Sequence, residues 1–224
     1  LFQAEDGIRD DISCLVGSEM CIRDSNNIIF DVGGVLVNLY YEPFIRYLQD
    51  AGADMSDLPA WVDRVGLEAH ERGEVSGEQM LDRIAATTQQ ALDRTELRER
   101  WLDMFGRAHE MFHLASGLTD SYRVYLLSNI GDLHWEYLDS QFRLESLVHG
   151  ALASFRVGAS KPDAEIYLEA ERRFQLEPGA TVFIDDLLPN VEAARARGWH
   201  AIRHSDAEAT RTALERLGVR LPPP

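Results

Sequence analysis

The chain has 224 residues, 45% of them hydrophobic, with 22 basic against 38 acidic side chains and a formal charge of −16. That length suits one domain carrying an insertion or two small domains. The negative field disfavours nucleic acid and anionic membranes as partners, and no apolar run approaches the ~20 residues that span a bilayer.

Residues 1–25 read unlike the rest. Glu5, Asp6, Arg9, Asp10 and Asp11 interrupt any apolar stretch, so this is not a signal peptide. With no Met at position 1 the chain reads as a fragment, and the run from Ala4 to Asp10 with that from Cys14 to Ser25 resembles translated sequencing-adapter sequence. The stretch is expected to be a non-native extension outside the fold. Both cysteines, Cys14 and Cys21, fall within it, which leaves the remainder without thiol chemistry and fits a cytoplasmic protein.

The first element is Asn27-Ile28-Ile29-Phe30, an apolar strand ending at Asp31 and followed by Gly33 and Gly34. A carboxylate at a strand end with glycines behind it lets backbone approach a bound group closely. An ordinary glycine turn after a buried strand has the same look. From Leu39 to about Ala115 the apolar spacing is helical: Phe44, Ile45 and Leu48 share a face, as do Leu97, Trp101 and Phe105. Ser76 and Gln79 have capping-box spacing ahead of Met80, Leu81 and Ile84. No strand pattern interrupts this region, which reads as an insertion of about four helices. His109-Glu110-Met111-Phe112-His113 matches the zinc-protease pattern HExxH, but no third ligand follows at the usual spacing, and Met111, Phe112 and Leu114 suit a helix packed on a sheet.

Strand character returns at Arg123–Leu127, which runs into Ser128-Asn129 and then a helical stretch, Gly131 to Leu138. A hydroxyl there can bind an anion at the helix start or simply cap it. His149 to Phe155 is a third strand. Lys161 then precedes Pro162, which is expected to open a helix reaching Phe174. The fourth strand, Ala180–Ile184, runs directly into Asp185-Asp186. Adjacent carboxylates repel unless a cation compensates, so a hard divalent metal is the economical explanation. A helix over Leu188–Arg197 stops at Gly198, Trp199–Arg203 is a fifth strand, and Ser205 with Glu208 is expected to cap a last helix.

Alternating strands and helices predict an α/β fold with a doubly wound parallel sheet. In such a sheet Asp31, Ser128, Lys161 and the Asp185-Asp186 pair would meet in one crevice at the strand carboxyl ends. From about Asn26 to Leu221 the chain resembles the haloacid dehalogenase superfamily, in the branch whose helical cap follows the first strand. The resemblance rests on Phe30-Asp31-Val32-Gly33-Gly34-Val35-Leu36, Leu126-Leu127-Ser128-Asn129, Gly158 to Asp163 and Ile184 to Asn190, in the family's order. The stretch Glu71 to Ser76 and the Ser128-Asn129 turn with His134 also look like glucose-1-phosphate phosphatase-like members.

The resemblance implies a core over residues 26–39 and 115–221 with a cap over 40–114. It implies a phosphomonoesterase acting on a small phosphorylated metabolite, a sugar phosphate among the candidates, with Mg2+ as cofactor. Asp31 would be the nucleophile. Magnesium would sit between Asp31, the Gly33 carbonyl and Asp186, with Asp185 in or near the shell. Ser128, Asn129, Lys161 and the Gly33-Gly34 backbone would receive the substrate, and Asn190 would orient the metal shell. The family's second aspartate, two residues after the nucleophile, is here Gly33, which leaves the proton donor open. His134 is a candidate for that role, and equally a capping or surface residue. A haloacid dehalogenase or a phosphate-binding protein without catalysis are the alternatives. Nothing in the sequence fixes an oligomeric state.

Overall fold

The computed structural model describes residues 26–222, so the expected extension, with Cys14 and Cys21, lies outside the described residues. In chain order, β1 (Asn27–Phe30) and β2 (Val37–Leu39) precede helices α1 (Glu42–Asp50), α2 (Leu58–Val65), α3 (Leu67–Glu71), α4 (Gly77–Ala85) and α5 (Arg94–Leu102), then β3 (Phe105–Arg107). There follow α6 (His109–Leu118), β4 (Arg123–Ser128), α7 (Asp132–Phe142), α8 (Leu144–Leu147), β5 (Gly150–Ala153), α9 (Ala164–Phe174), β6 (Thr181–Asp185), α10 (Leu188–Ala196), β7 (His200–Arg203) and α11 (Ala207–Arg216).

The five long-range strands form one parallel sheet in the order β5-β4-β1-β6-β7. The chain winds outward from β1 through β4 to β5, then crosses back to β6 and β7. The carboxyl ends of β4, β1 and β6 therefore border the crevice where the winding reverses. Phe30 pairs with Leu126 on one side and Ile184 on the other, so Asp31 and Asp185 leave the sheet at one level. Both faces are covered. Ile28, Phe30, Leu126 and Ile184 pack under α6, α7 and α11, while Ile29, Leu127 and Phe183 pack under α9 and α10. Two buried faces explain why these strands read as unbroken apolar runs.

The cap has its own core, in which Phe44, Leu48, Trp61, Met80, Leu97 and Trp101 cluster and Leu133 of α7 joins from below. The expected capping box forms at α4: Gln79 N–H donates to Ser76 Oγ at 3.3 Å and Ser76 N–H to Gln79 Oε1 at 3.0 Å. Four details differ from the sequence reading. A two-stranded antiparallel ribbon, β2 with β3, closes the base of the cap where no strand was expected; at three residues each, these strands are too short to show an alternation. Helix α6 packs Met111, Phe112, Leu114 and Ala115 against the sheet, so the packing puts the second cap boundary near Ala108 rather than at 114. Helix α9 begins at Ala164, after Pro162 and Asp163. The last helix is capped by Asp206, whose carboxylate accepts from Ala209 N–H at 2.7 Å, and not by Ser205.

Candidate active site

Asp31 emerges from β1 almost buried, 7% exposed. Its Oδ1 accepts the Val32 N–H at 2.7 Å and lies 2.8 Å from Lys161 Nζ. The same ammonium reaches Asp185 Oδ2 at 2.7 Å. Lys161 is held in place by a side chain from the neighbouring strand end. Asn129 Oδ1 accepts the Lys161 N–H and Asn129 Nδ2 donates to the Lys161 carbonyl, both at 2.8 Å. With both ends of its amide engaged, the Asn129 side chain sets the lysine loop rather than facing a ligand. Burial pushes the Asp31 carboxyl up to about 7, against the pull of Lys161 and with a further push from Asp185. Burial also works against the Lys161 ammonium, but the two carboxylates outweigh it and hold the group charged.

Asp185 is fully buried and its oxygens are taken. Oδ1 accepts Leu187 N–H at 2.9 Å and Asn190 Nδ2 at 3.0 Å, while Oδ2 accepts Asn190 Nδ2 at 3.1 Å besides Lys161. It is a bracing group between the lysine and α10, and Asn190 is what braces it. Asp186 is different: half-buried, with burial first and Asp185 second raising its carboxyl above the usual range. Gly34 lies against it with φ of +75°, and a Cβ there would come 2.6 Å from Asp186 Oδ2. The Gly34 N–H is spent on the Val37 carbonyl at 2.8 Å, so this glycine serves the carboxylate's space and not, as expected, the substrate's oxygens. That bond and Val37 N–H to the Val32 carbonyl, 2.9 Å, make the Gly33 to Val37 bridge, and Gly33's own carbonyl takes no part in either.

Oxygens of Asp31, Asp185 and Asp186 lie within 4.8 Å of one another, and among the described residues they are the group that could share a metal. His109 and His113 are not part of any such group, and their helix buries its apolar face in the core as its composition suggested. The donors are all hard oxygens, and with one ammonium among three carboxylates the cluster carries excess negative charge. Both properties fit magnesium. Asp31 and Asp186, with the Gly33 carbonyl, would hold it, while Asp185 braces them.

Above this cluster the cap encloses a cavity of ≈370 Å³, whose floor includes Gly33, Ser128 and Asn129 and whose walls are mainly Phe44, Met55, Leu58, Trp61, Met104 and Leu138. Ser128, 2% exposed at the end of β4, faces it as expected. His134 is neither a cap nor a surface residue. It lies in the cavity wall, stacked on Trp101 at 4.5 Å, with Nε2 donating to the Trp101 carbonyl at 2.9 Å. Burial lowers its pKa to about 4, so the ring is neutral and its one N–H is spent, which leaves it no proton to give. A carboxyl that local pattern did not single out, Glu71 at the end of α3, lines the same cavity. Only tertiary structure brings it there. The sequence offered the stretch around it, with nothing in that stretch to mark the side chain.

The family model of haloacid dehalogenase-like hydrolases matches residues 26–198. The chain belongs to this hydrolase family. Among characterised relatives it is 27% identical over 193 residues to the sesquiterpene phosphatase astK of Aspergillus oryzae, covering 84% of this chain and 94% of that protein. It is 24% identical to a D-ribitol-5-phosphate phosphatase of Bacteroides thetaiotaomicron, covering 79% of this chain and 90% of that one. A haloacid dehalogenase family enzyme of the same bacterium, solved in complex with magnesium and inorganic phosphate, superposes with a TM-score of 0.73 at 24% identity, covering 80% of this chain and 94% of that chain.

Proposed function

We propose that this hydrolase is a magnesium-dependent phosphomonoesterase that works through an aspartyl phosphate on Asp31. The observation that carries this reading is the cluster beside Gly33 and Ser128 of the cavity floor: a buried carboxylate, Asp31, an ammonium 2.8 Å from it, and a second carboxylate, Asp186, close enough to Asp31 to share a metal. Asp31 attacks phosphorus in line, and the P–O bond to the alcohol breaks. Lys161 and Ser128 hold phosphoryl oxygens as charge spreads over them. Magnesium, when bound, supplies positive charge that lets an anion approach two carboxylates. Asp185 and Asn190 keep Lys161 aimed. A dehalogenase needs no such metal set, and a mere phosphate binder needs no carboxylate beside the anion.

Its substrate is a small phosphate ester, and the cavity favours one whose alcohol is largely hydrocarbon. Each sugar or polyol hydroxyl left unpaired against Phe44, Met55 or Leu58 would cost about 1–3 kcal/mol. Besides the Glu71 carboxyl, the wall holds two buried polar atoms without a hydrogen-bond partner among the described residues, His70 Nε2 and Trp101 Nε1, which suit one hydroxyl better than a whole polyol. The two phosphatase relatives act by name on these two kinds of ester, so the comparison is direct. A terpenyl phosphate is expected to exceed ribitol 5-phosphate at least tenfold in kcat/KM, and the opposite order would return the sugar phosphate to first place. For the chemistry, Asp31→Asn is expected to abolish turnover at saturating magnesium while the thermal melt stays cooperative. Near wild-type turnover in that variant would end the mechanism.

A further inference from the structure

Gly33 stands where a proton donor would be expected, and the phosphatase reading on which this inference rests leaves its role unfilled. We infer that Glu71, a residue of the cap, protonates the leaving alcohol and then activates the water that releases phosphate. Three observations and one requirement of the chemistry place it. It lines the cavity together with Ser128 and Asn129, on the cap side. In-line attack by Asp31 requires the leaving oxygen to depart opposite the nucleophile, where a donor from outside the sheet is needed. Its carboxyl makes no hydrogen bond or ion pair among the described residues, although it is largely shielded from solvent.

Its backbone, by contrast, is pinned to the core from both sides. Ser154 Oγ donates to the Glu71 carbonyl at 2.6 Å, and Arg72 pairs with Asp163 two residues beyond Lys161. Gly73, with φ of +74°, lies against the Phe155 carbonyl so closely that a Cβ would not fit. A free carboxyl on a fixed backbone at the reaction's exit side is how a general acid is arranged.

The charged groups around it are few. Burial pushes its pKa up to about 7, Lys161 from the core loop pulls it down, and Glu68 from its own helix pushes it up. Of the titratable neighbours, Arg72 is taken up by Glu68 and Asp163, and His70 Nδ1 lies 2.8 Å from the Val75 carbonyl and 4.0 Å from Asp132. A carboxyl that titrates near neutrality can give and take a proton at working pH. In the first half-reaction Asp31 forms a bond to phosphorus, the P–O bond to the alcohol breaks, and the Glu71 proton goes to the alcohol oxygen. In the second the Glu71 carboxylate takes a proton from water as its oxygen bonds to phosphorus and the Asp31–phosphorus link breaks. Inorganic phosphate leaves and Glu71 is protonated again.

The test compares two esters in the full chain with magnesium. Decyl phosphate needs its leaving oxygen protonated, whereas p-nitrophenyl phosphate does not. Glu71→Gln is expected to lower turnover of decyl phosphate about 10²-fold or more. With the nitrophenyl ester it should keep a fast burst of one nitrophenolate per site, followed by a slowed steady state. Wild-type kcat/KM for the decyl ester should fall as pH rises past about 7, where Glu71 loses its proton, and that limb should vanish in the variant. Glu71→Asp, which shortens the reach, should show the same selectivity with a smaller loss. Equal loss of the burst with both esters, or no loss with either, in whichever variant folds, would overturn the assignment. Failure of the wild type to turn over either ester with magnesium would instead strike the phosphatase reading, and this proposal with it.

Discussion

Gly34 shows how narrowly the metal end of the site is drawn. Its φ of +75° is a conformation that side chains resist, and the space its Cβ would take belongs to Asp186, 2.6 Å away. Gly34→Ala should cost about 1 kcal/mol from the backbone alone and should also push Asp186 off its position. Displacing a group that orients a metal ligand typically weakens binding 10–100-fold. The expected result is a magnesium Kd raised at least tenfold by titration calorimetry, with a cooperative melt. An unchanged Kd would show that the carboxylate tolerates the crowding. Gly33 differs: a Cβ there would sit 3.6 Å from Leu39 Cδ1, an ordinary contact, so no steric requirement keeps that position without a side chain.

Helix α3 is five residues long and could not stand alone. What fixes it is the seam with the core, in which Ser154 is fully buried and serves both sides, accepting Ile130 N–H at 2.9 Å and donating to the Glu71 carbonyl at 2.6 Å. Ser154→Ala leaves both groups without this partner, at a cost of about 1–3 kcal/mol, which at this size lowers Tm by roughly 2–4 °C per kcal/mol. Faster amide exchange should be confined to α3 and the turn after it; a Tm within error of wild type would mean the seam holds without this serine. None of this was legible beforehand. The strands were, because Ile28 to Phe30 and Val182 to Ile184 are buried on both faces and announce themselves as apolar runs. So were the positions of Asp31, Ser128, Lys161 and Asp186 in the fold, because each stands at the end of such a run or beside a turn residue. Local pattern could not show that Asn129 clamps the lysine loop, that His134 is walled in by Trp101, or that Glu71 crosses to the core. Each depends on a partner at least thirty-two residues away in sequence. The β2 and β3 ribbon escaped for a related reason, since three residues carry too little pattern to tell from a loop.

Cap and core are joined into one enclosure where α7 meets α5, and the pH response of the whole molecule should report that junction. His134 on α7 is stacked on Trp101 of α5, with Phe105 edge-on at 4.9 Å. Burial depresses its pKa from 6.5 to about 4. Between those values the unfolded chain binds the proton and the folded one does not, so stability present above 6.5 is lost as pH falls toward 4. A shift of that size corresponds to roughly 3 kcal/mol at most. Asp31 and Glu71, both raised to about 7, act in the opposite sense, since their protonation as pH falls through 7 favours the folded state. The wild-type curve alone therefore mixes the two, and the difference from a variant separates them. His134→Gln keeps a donor for the Trp101 carbonyl but cannot titrate. It should be less stable than wild type at pH 7.5, and the gap in unfolding free energy from urea melts should narrow steadily down to pH 4.5. A gap that stays constant across that range would show that this imidazole titrates in the folded protein much as it does in water, and that the cap does not exclude water from the wall it shares with the core.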